Sequence, residues 1–366
     1  MKFAIAVNME RLDPSQDMVT LNKNALELVK LAEQGGFETA FAAEHHTIEM
    51  TVAPNPFLIL AHWGEHTSRI RLGTATVVAP YWHPIRLAGE AAYTDILIDG
   101  RLELGIARGA FQYEFSRMAP GIKDRDGAPY LKEIVPAIKA LWEGDYAHEG
   151  QFWSFPTSTS APKPLQKPHP PIWIAARDPD TFDWAVKNGA NIMSTPLSRP
   201  PSEVTILGER LRATLRNNPT VPRPRFMMLR SAAVLDKGED WRVPVDAAIL
   251  HGRHFENLFR TDGVVRNGFT QPMDISAQSS SGNYDAEQLR ESLLIGTPDE
   301  VVEKLGLYEA AGVDLFCYGA NIGLPFKQAV RSLELFIERV MPHFAEPGQR
   351  PGRASQGRQA QAVAAV

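Results

Sequence analysis

Two adjacent histidines follow a short apolar segment near the start of the chain, in the run Ala43-Glu44-His45-His46. An imidazole titrates near physiological pH, so either histidine can act as a general base or hydrogen-bond an anionic intermediate. Neighbouring side chains just past a strand point in different directions, so one histidine can face a cavity while the other supports it. A surface or metal-binding pair is the alternative, but the remaining histidines lack ligand-like spacing. We therefore predict that His45 and His46 are catalytic and that there is no metal site.

An arginine ends a second apolar segment and is followed directly by a glycine, as Arg108-Gly109. A guanidinium beside a glycine suits bidentate binding of a phosphate, because the backbone can also approach the ligand closely. A structural ion pair, for example with Glu114, explains Arg108 equally well from the sequence alone.

A third polar run, Arg177-Asp178-Pro179-Asp180-Thr181, has the composition of a helix N-terminus. Asp178 suits the N-cap, Pro179 suits the first helical position, and Thr181 adds a hydroxyl. The free N–H groups and the dipole of such a terminus attract phosphate, and Arg177 strengthens that interpretation. A capping Asp178 would oppose an anion, so an ordinary capped helix remains the alternative.

These polar runs each follow an apolar segment, and such segments alternate with helical patterns along most of the chain. The strand candidates are Phe3–Val7, Thr39–Ala43, Ile70–Val78, Leu102–Ala107, Ile172–Ala176, Asn191–Ser194, Phe226–Val234 and Leu315–Tyr318. Eight such strands predict an α/β fold, a (β/α)8 TIM barrel whose site lies at the carboxyl ends of the strands. A doubly wound sheet would need a glycine-rich turn after the first strand, where the chain has Asn8-Met9-Glu10-Arg11.

Several segments extend this plan. A hairpin is predicted within Trp142–Phe155. The stretch Thr261–Tyr284 is rich in Gly, Ser, Asn and Asp, which indicates either a mobile lid or disorder. We assign residues 1–345 to one barrel domain and residues 346–366, which are rich in Gly, Arg, Gln and Ala, to a disordered tail.

The composition excludes several classes of function. The chain has 38 basic and 43 acidic residues and a formal net charge of −5, which gives no electrostatic basis for binding nucleic acid or an anionic membrane. No apolar run approaches the roughly 18–20 residues that span a bilayer. Cys317 is the only cysteine, so there is no intramolecular disulfide. We expect a cytoplasmic protein.

Taken together, the motifs resemble the bacterial luciferase-like family of flavin-dependent monooxygenases. The resemblance extends from Met1 to about Phe344 and is strongest over the first part of the chain. It is carried by Ala43-Glu44-His45-His46, Leu72-Gly73-Thr74-Ala75-Thr76, His83-Pro84-Ile85-Arg86, Asp99-Gly100-Arg101-Leu102-Glu103-Leu104-Gly105-Ile106-Ala107-Arg108-Gly109, Gly296-Thr297-Pro298-Asp299-Glu300 and Ala311-Gly312-Val313-Asp314.

The resemblance implies a TIM barrel with luciferase-like insertions that binds FMN at its mouth. His45 matches the family's catalytic histidine and His46 its neighbour. Ala75 and Thr76 match a segment that packs against the flavin ring and carries a non-prolyl cis peptide. Arg108 and Thr181 match residues that contact the flavin phosphate.

The chain also departs from the family pattern around the phosphate. Arg177-Asp178 replaces a Glu-Ser pair, so the phosphate contacts are expected to be rebuilt with Arg177 and Asp178 among them. A second phosphate arginine falls near Lys123 and Arg125, where the match is ambiguous. Ala107 replaces a reactive cysteine.

The activity implied is oxygenation of a small, mostly apolar organic molecule by O2 and reduced FMN, through a peroxyflavin. A separate flavin reductase would supply the reduced FMN, and the chain would form a homodimer. The expected pocket neighbours are Phe111, Tyr81, Trp82, Met193 and Phe316. Two alternatives stay open, namely hydride transfer with a deazaflavin in the same superfamily and a non-catalytic relative that only binds flavin.

Overall fold

A closed barrel of eight parallel strands forms the centre of the protein. The computed structural model describes residues 1–260, 263–275 and 284–345. The strands are β1 (Lys2–Ala6), β2 (Thr39–Ala42), β3 (Arg71–Thr74), β4 (Leu102–Ala107), β5 (Ile172–Ala175), β6 (Asn191–Ser194), β7 (Phe226–Val234) and β8 (Leu315–Gly319). Each strand pairs with the next one along the chain, and β8 pairs with β1. The predicted TIM barrel is confirmed, since the sheet has no open edge in this ring.

Helices surround the barrel and bury the outward faces of its strands. They are α1 (Met18–Gln34), α2 (Pro56–Glu65), α3 (Pro84–Leu97), α4 (Gln112–Met118), α5 (Ala128–Glu143), α6 (Pro179–Lys187), α7 (Ser202–Asn217), α8 (Arg242–Phe255), α9 (Ala286–Ser292), α10 (Pro298–Ala310) and α11 (Phe326–Leu335). Among the described residues, no helix is long and apolar enough to cross a bilayer.

The inside of the barrel is filled by side chains that alternate along the strands with those facing the helices. Phe41, Trp173, Met193 and Met227 belong to this inner cluster. Gly105 in β4 makes the packing possible, because a Cβ there would lie 2.0 Å from the carbonyl oxygen of Thr74. The barrel below its mouth is therefore a packed core and not a channel.

The third predicted strand differs from the structure. The sequence suggested one strand over Ile70–Val78, but the structure has β3 and a separate short strand, Val77–Val78, which pairs with β4. A cis peptide bond between Ala75 and Thr76 lies between the two. A further short strand, Leu294–Gly296, pairs with β7 and was not anticipated.

Two insertions contain hairpins. The predicted hairpin consists of Tyr146–Glu149 and Ser154–Ser158. The second, Val265–Arg266 with Phe269–Thr270, lies inside the stretch that we expected to form a lid. It is joined to the loop after β2, because the Glu49 N–H donates to the carbonyl of Gly268 at 2.7 Å. Whether this stretch closes over the site stays a prediction, and its residues 261–262 and 276–283 lie outside the described residues, as does the predicted tail 346–366.

Candidate functional site

His45 lies at the mouth of the barrel and is held by a carboxylate from a distant helix. Its Nδ1 lies 3.2 and 3.3 Å from the two carboxylate oxygens of Glu114 in α4. Because a carboxylate only accepts hydrogen bonds, Nδ1 carries the proton. Nε2 makes no hydrogen bond to any described residue and is the ring nitrogen available for chemistry. The His46 N–H donates to Glu114 as well, at 2.6 Å.

His46 is fixed by a second buried carboxylate. Its Nε2 lies 2.8 Å from Glu44. The other contacts of Glu44 are the Val78 N–H at 2.6 Å and the Trp82 indole N–H at about 3 Å. Glu44 thus ties the histidine pair to the strand beyond the cis peptide. The two histidines therefore differ. The His46 ring is hydrogen-bonded to Glu44, whereas Nε2 of the His45 ring remains available to a ligand.

The carboxylates also change the acidity of the histidine. Burial alone lowers the pKa of His45, but the negative charges of Glu114 and Glu44, together with the Glu114 hydrogen bond, outweigh it and raise the pKa above its ordinary value. Burial and the same two carboxylates raise the pKa of the nearby Tyr81 hydroxyl, which therefore stays protonated. The site holds a histidine that retains its proton more readily than a free imidazole.

The segment Ala75–Thr76 lies between β3 and the Val77–Val78 strand. Its peptide bond is cis, which confirms the backbone feature implied by the resemblance. Ala75 packs beside the inner barrel cluster, at the level where the strands end. Both residues lie at the carboxyl end of the barrel, as a flavin-contacting role requires, and that role stays a prediction.

Arg108 follows β4 and is exposed. Its guanidinium makes no hydrogen bond or ion pair with a described residue, and Glu114, the partner suggested as an alternative, binds the histidines instead. The positive charge of Arg108 contributes to lowering the pKa of Asp178. Arg108 is therefore a cation at the rim whose hydrogen-bonding groups are available to a ligand.

Arg177, Asp178 and Thr181 occupy the end of β5 and the start of α6. Asp178 is the N-cap, as predicted, and accepts from the N–H and the hydroxyl of Thr181 at 2.8–3.0 Å. Arg177 donates to Glu203 at 2.8 Å, but its Nε is buried without a partner in the described structure. Burial raises the pKa of Asp178, but the Thr181 hydrogen bonds and Arg108 outweigh it, so the pKa is lowered and the carboxylate is charged.

The ambiguous region around Lys123 and Arg125 adjoins the same rim. It forms a short 3-10 turn, Asp124–Gly127, before α5. A Cβ on Gly127 would lie 2.0 Å from the carbonyl oxygen of Arg108, so the two backbones are in close contact. This contact brings the turn beside the Arg108 backbone, and a phosphate-binding role for Lys123 or Arg125 stays a prediction.

The expected pocket neighbours are only partly correct. Phe111 contacts the His45 ring with 5.2 Å between centroids, and Tyr81 contacts His46 edge-on at 5.6 Å. Trp82 is instead buried as a donor to Glu44. Phe316 faces outward and packs against Tyr308 and Phe336, because its neighbours in β8 occupy the inward positions.

Met193, the fifth expected neighbour, belongs to the inner barrel cluster. Two site residues, Glu44 and Glu114, were not proposed as functional from the sequence. Glu44 stood inside the quoted histidine motif, but Glu114 is separated from His45 by 69 positions, and no local signal connects them. Among the described residues, no group of three or more His, Cys, Asp or Glu side chains is arranged to hold a metal ion.

Comparisons with known proteins agree with this geometry. The family model for luciferase-like monooxygenases matches residues 1–315. The chain is 42% identical over 346 residues to the oxygenase component of a flavin-dependent trigonelline monooxygenase from Acinetobacter baylyi, covering 94% of this chain and 96% of the relative. It is 26% identical over 348 residues to an FMNH2-dependent dimethylsulfone monooxygenase from Pseudomonas putida, covering 86% of each. The solved structure of monooxygenase RslO1 from Streptomyces bottropensis superposes with a TM-score of 0.76 at 28% identity, covering 94% of this chain and all of that one.

The fold and these relatives define the class of protein as an oxidoreductase that transfers oxygen from O2 to a substrate. The chain belongs to the luciferase-like monooxygenase family. The predictions of the family, the fold and a flavin-dependent monooxygenase activity are confirmed.

Proposed function

We propose that this chain is the oxygenase component of a two-component monooxygenase, which receives reduced FMN from a separate reductase and uses O2 to oxygenate a small organic molecule. The observation that carries the proposal is His45, whose Nδ1 is bound to Glu114 while its Nε2 remains available at the barrel mouth. The names of the relatives as an oxygenase component and as an FMNH2-dependent enzyme support the cofactor and the reductase.

The rim offers groups that fit a flavin phosphate. Arg108 has no ion pair with a described residue, and the Arg177 Nε is buried without a partner there. A buried donor without an acceptor costs free energy that a phosphate oxygen would recover. The Thr181 hydroxyl, which now donates to Asp178, could donate to a bound phosphate instead. Ala75 and Thr76 would contact the flavin ring. Among these rim residues, Asp178 carries a negative charge, which would repel the phosphate.

The chemistry of the chain itself then centres on one proton. Bound reduced FMN supplies the electrons that activate oxygen. His45 holds or transfers a proton at Nε2, and Glu114 fixes the ring and its tautomer by accepting from Nδ1. Phe111 packs against His45 and Tyr81 against His46, which limits the access of water to the histidine pair.

The substrate proposed first is trigonelline, because the relative that shares 42% identity is named for it. The deazaflavin alternative would need a different reductant and no oxygen, and the flavin-dependent relatives speak against it. Retention of His45 and Arg108 speaks against a non-catalytic flavin-binding relative.

We also propose a homodimer and a cytoplasmic location. Leu58 in α2 and Tyr93 and Leu97 in α3 are 71%, 56% and 49% exposed, and these adjacent helices offer an apolar face that a second copy would cover. The single cysteine, Cys317, is buried, which suits a reducing compartment. Light scattering on the purified chain tests the dimer, and a monomeric mass would contradict it.

The activity is tested with FMN, a general flavin reductase, NADH and trigonelline under 18O2. We expect a product that contains one labelled oxygen atom. His45→Asn should keep FMN affinity but lose most of the labelled product. If the wild-type chain binds neither oxidised nor reduced FMN, the proposal is wrong.

A further inference from the structure

A cavity lies beside the barrel mouth, between the ends of β6 and β7 and the helices α8 and α9. Its volume is about 160 Å³, and its wall includes Leu229, Ser231, His251, Phe255 and Tyr284. A cavity of about 150 Å³ with an apolar wall accommodates one benzene ring. The volume here therefore matches a single six-membered ring, and a second fused ring would extend out of the cavity.

This cavity lies near His45, on the far side of two aromatic side chains. Phe255 forms part of its wall and contacts Phe111 edge-on, with 5.2 Å between the ring centroids. Phe111 in turn contacts His45 at the same separation. A ring held in the cavity is therefore separated from His45 by this pair of aromatic side chains.

One end of the cavity carries a polar group in a fixed position. His251 Nε2 lies 2.9 Å from Glu10, which follows β1, and the His251 ring stacks on Phe255. Since Glu10 only accepts, Nε2 carries a proton, and Nδ1 makes no hydrogen bond to a described residue. The hydroxyl of Ser231 is also free of hydrogen bonds to the described residues and lies in the same wall. A substrate substituent can bond to either group.

The uncharged lining of the cavity disfavours an anion. None of the residues that line it is Lys, Arg, Asp or Glu, in the part of the chain that the structure describes. Charges of both signs stand behind its wall: Glu10 against His251, Glu256 accepting from the Tyr284 hydroxyl at 3.2 Å, and the Arg230 guanidinium, which donates to the carbonyl of the lining residue Leu197 at 2.6 Å. Because the lining itself is uncharged, a ligand with net negative charge would lose hydration there without gaining an ion pair with a lining side chain.

We infer that this cavity binds the substrate as a single aromatic ring with a hydrogen-bonding substituent and no net negative charge, and that His251, held by Glu10, is the residue that positions it. The inference rests on the proposed function and narrows the mostly apolar substrate expected from the sequence. His251 acts through binding geometry, and the proton chemistry stays with His45.

The probes are benzamide, 2-naphthamide and benzoate, titrated into the full chain by calorimetry with FMN present. Benzamide has one ring and a neutral polar substituent, 2-naphthamide adds a ring, and benzoate adds a negative charge. We expect benzamide to bind at least tenfold more tightly than either of the others. Equal or tighter binding of 2-naphthamide or benzoate would overturn the inference, as would the absence of any benzamide binding.

Two variants locate the binding. Gly252→Ala places a Cβ 2.0 Å from the Tyr284 ring, so it should fill part of the cavity and weaken benzamide binding at least tenfold. His251→Phe keeps the size of the wall and should reduce benzamide affinity about tenfold and raise KM for the substrate more than it lowers kcat. His343→Asn is the control. His343 lies next to Phe344, which packs on Phe3 near the start of β1, and this end of the barrel is opposite the mouth.

The readouts separate this inference from the proposed function. FMN affinity should be unchanged in Gly252→Ala, His251→Phe and His343→Asn. If the wild type fails to bind FMN but still binds benzamide in the pattern above, the monooxygenase proposal fails and the ring site stands. If FMN binds and oxygenation proceeds while both cavity variants bind benzamide normally, the aromatic ring binds outside this cavity and the inference is wrong.

Discussion

Replacing Glu114 by Gln removes the charge that holds His45 while it preserves the size of the side chain. Glu114 is 2% exposed and accepts from both His45 Nδ1 and the His46 N–H. Hydrogen bonds to a charged group contribute about 1.5–3 kcal/mol. Since about 1.4 kcal/mol corresponds to a factor of ten in rate, we expect kcat to fall about 10- to 100-fold with little change in FMN affinity.

The same substitution should also shift the pH profile. Glu114 is one of the groups that raise the pKa of His45, so its loss lowers that pKa. The inflection of kcat/KM that belongs to His45 should move to lower pH in Glu114→Gln and disappear in His45→Asn. The matched control is Glu133→Gln, because Glu133 also binds a histidine, His148 at 2.9 Å, and backbone N–H groups, but lies away from the site. Wild-type kcat and an unshifted profile in a folded Glu114→Gln variant would refute the role given to this carboxylate.

The contact makes folding stability depend on pH in a defined direction. Because the folded-state pKa of His45 is raised, its contribution is fully present below the unfolded pKa of about 6.5 and is lost as pH rises through the folded value. The difference in unfolding free energy between wild type and Glu114→Gln should therefore shrink as pH rises through that range. Chemical denaturation at several pH values measures it, and a difference that grows with pH would contradict the argument.

Three further variants test the rim and the barrel. Arg108→Ala should weaken reduced-FMN affinity about 10- to 100-fold through the loss of a charge-assisted contact, and an unchanged dissociation constant would place the phosphate elsewhere. Asp178→Asn keeps an N-cap but removes the charge that opposes a phosphate, so FMN should bind more tightly, and weaker binding would show that the carboxylate assists. Gly105→Ala forces a Cβ to 2.0 Å from the Thr74 carbonyl and should cost about 1–3 kcal/mol of stability, which an unchanged denaturation midpoint would disprove.

The sequence predicted the barrel well because several of its strands are buried on both faces and form continuous apolar runs, as in Ile172–Ala175. The sequence did not show which side chains of a strand face the barrel interior and which face the helices, because a continuous apolar run has no alternation. Phe316 was therefore expected in the pocket, but it faces the helices. Contacts between distant segments could not be predicted from the sequence either. His45 could be selected from its position after β2, but its dependence on Glu114 arises only when α4 folds over the mouth.

The cis peptide at Ala75–Thr76 illustrates a different limit. Nothing in the residue types favours a cis bond there, because such bonds are rare outside X-Pro sequences. The resemblance to a family indicated it, whereas composition and spacing did not. The volume of the cavity could not be predicted from local sequence patterns either, because Leu229, Phe255 and Tyr284 come together from three separate segments.

The central claim is that reduced FMN binds at the barrel mouth and reacts there with oxygen under the control of His45. The most direct test mixes the anaerobic complex of protein and reduced FMN with oxygen in a stopped-flow instrument and follows the return of oxidised-flavin absorbance. We predict that oxidised flavin returns much more slowly than for free reduced FMN, and that His45→Asn alters that rate without releasing the flavin. Return at the rate of free flavin in the wild-type protein would contradict the account.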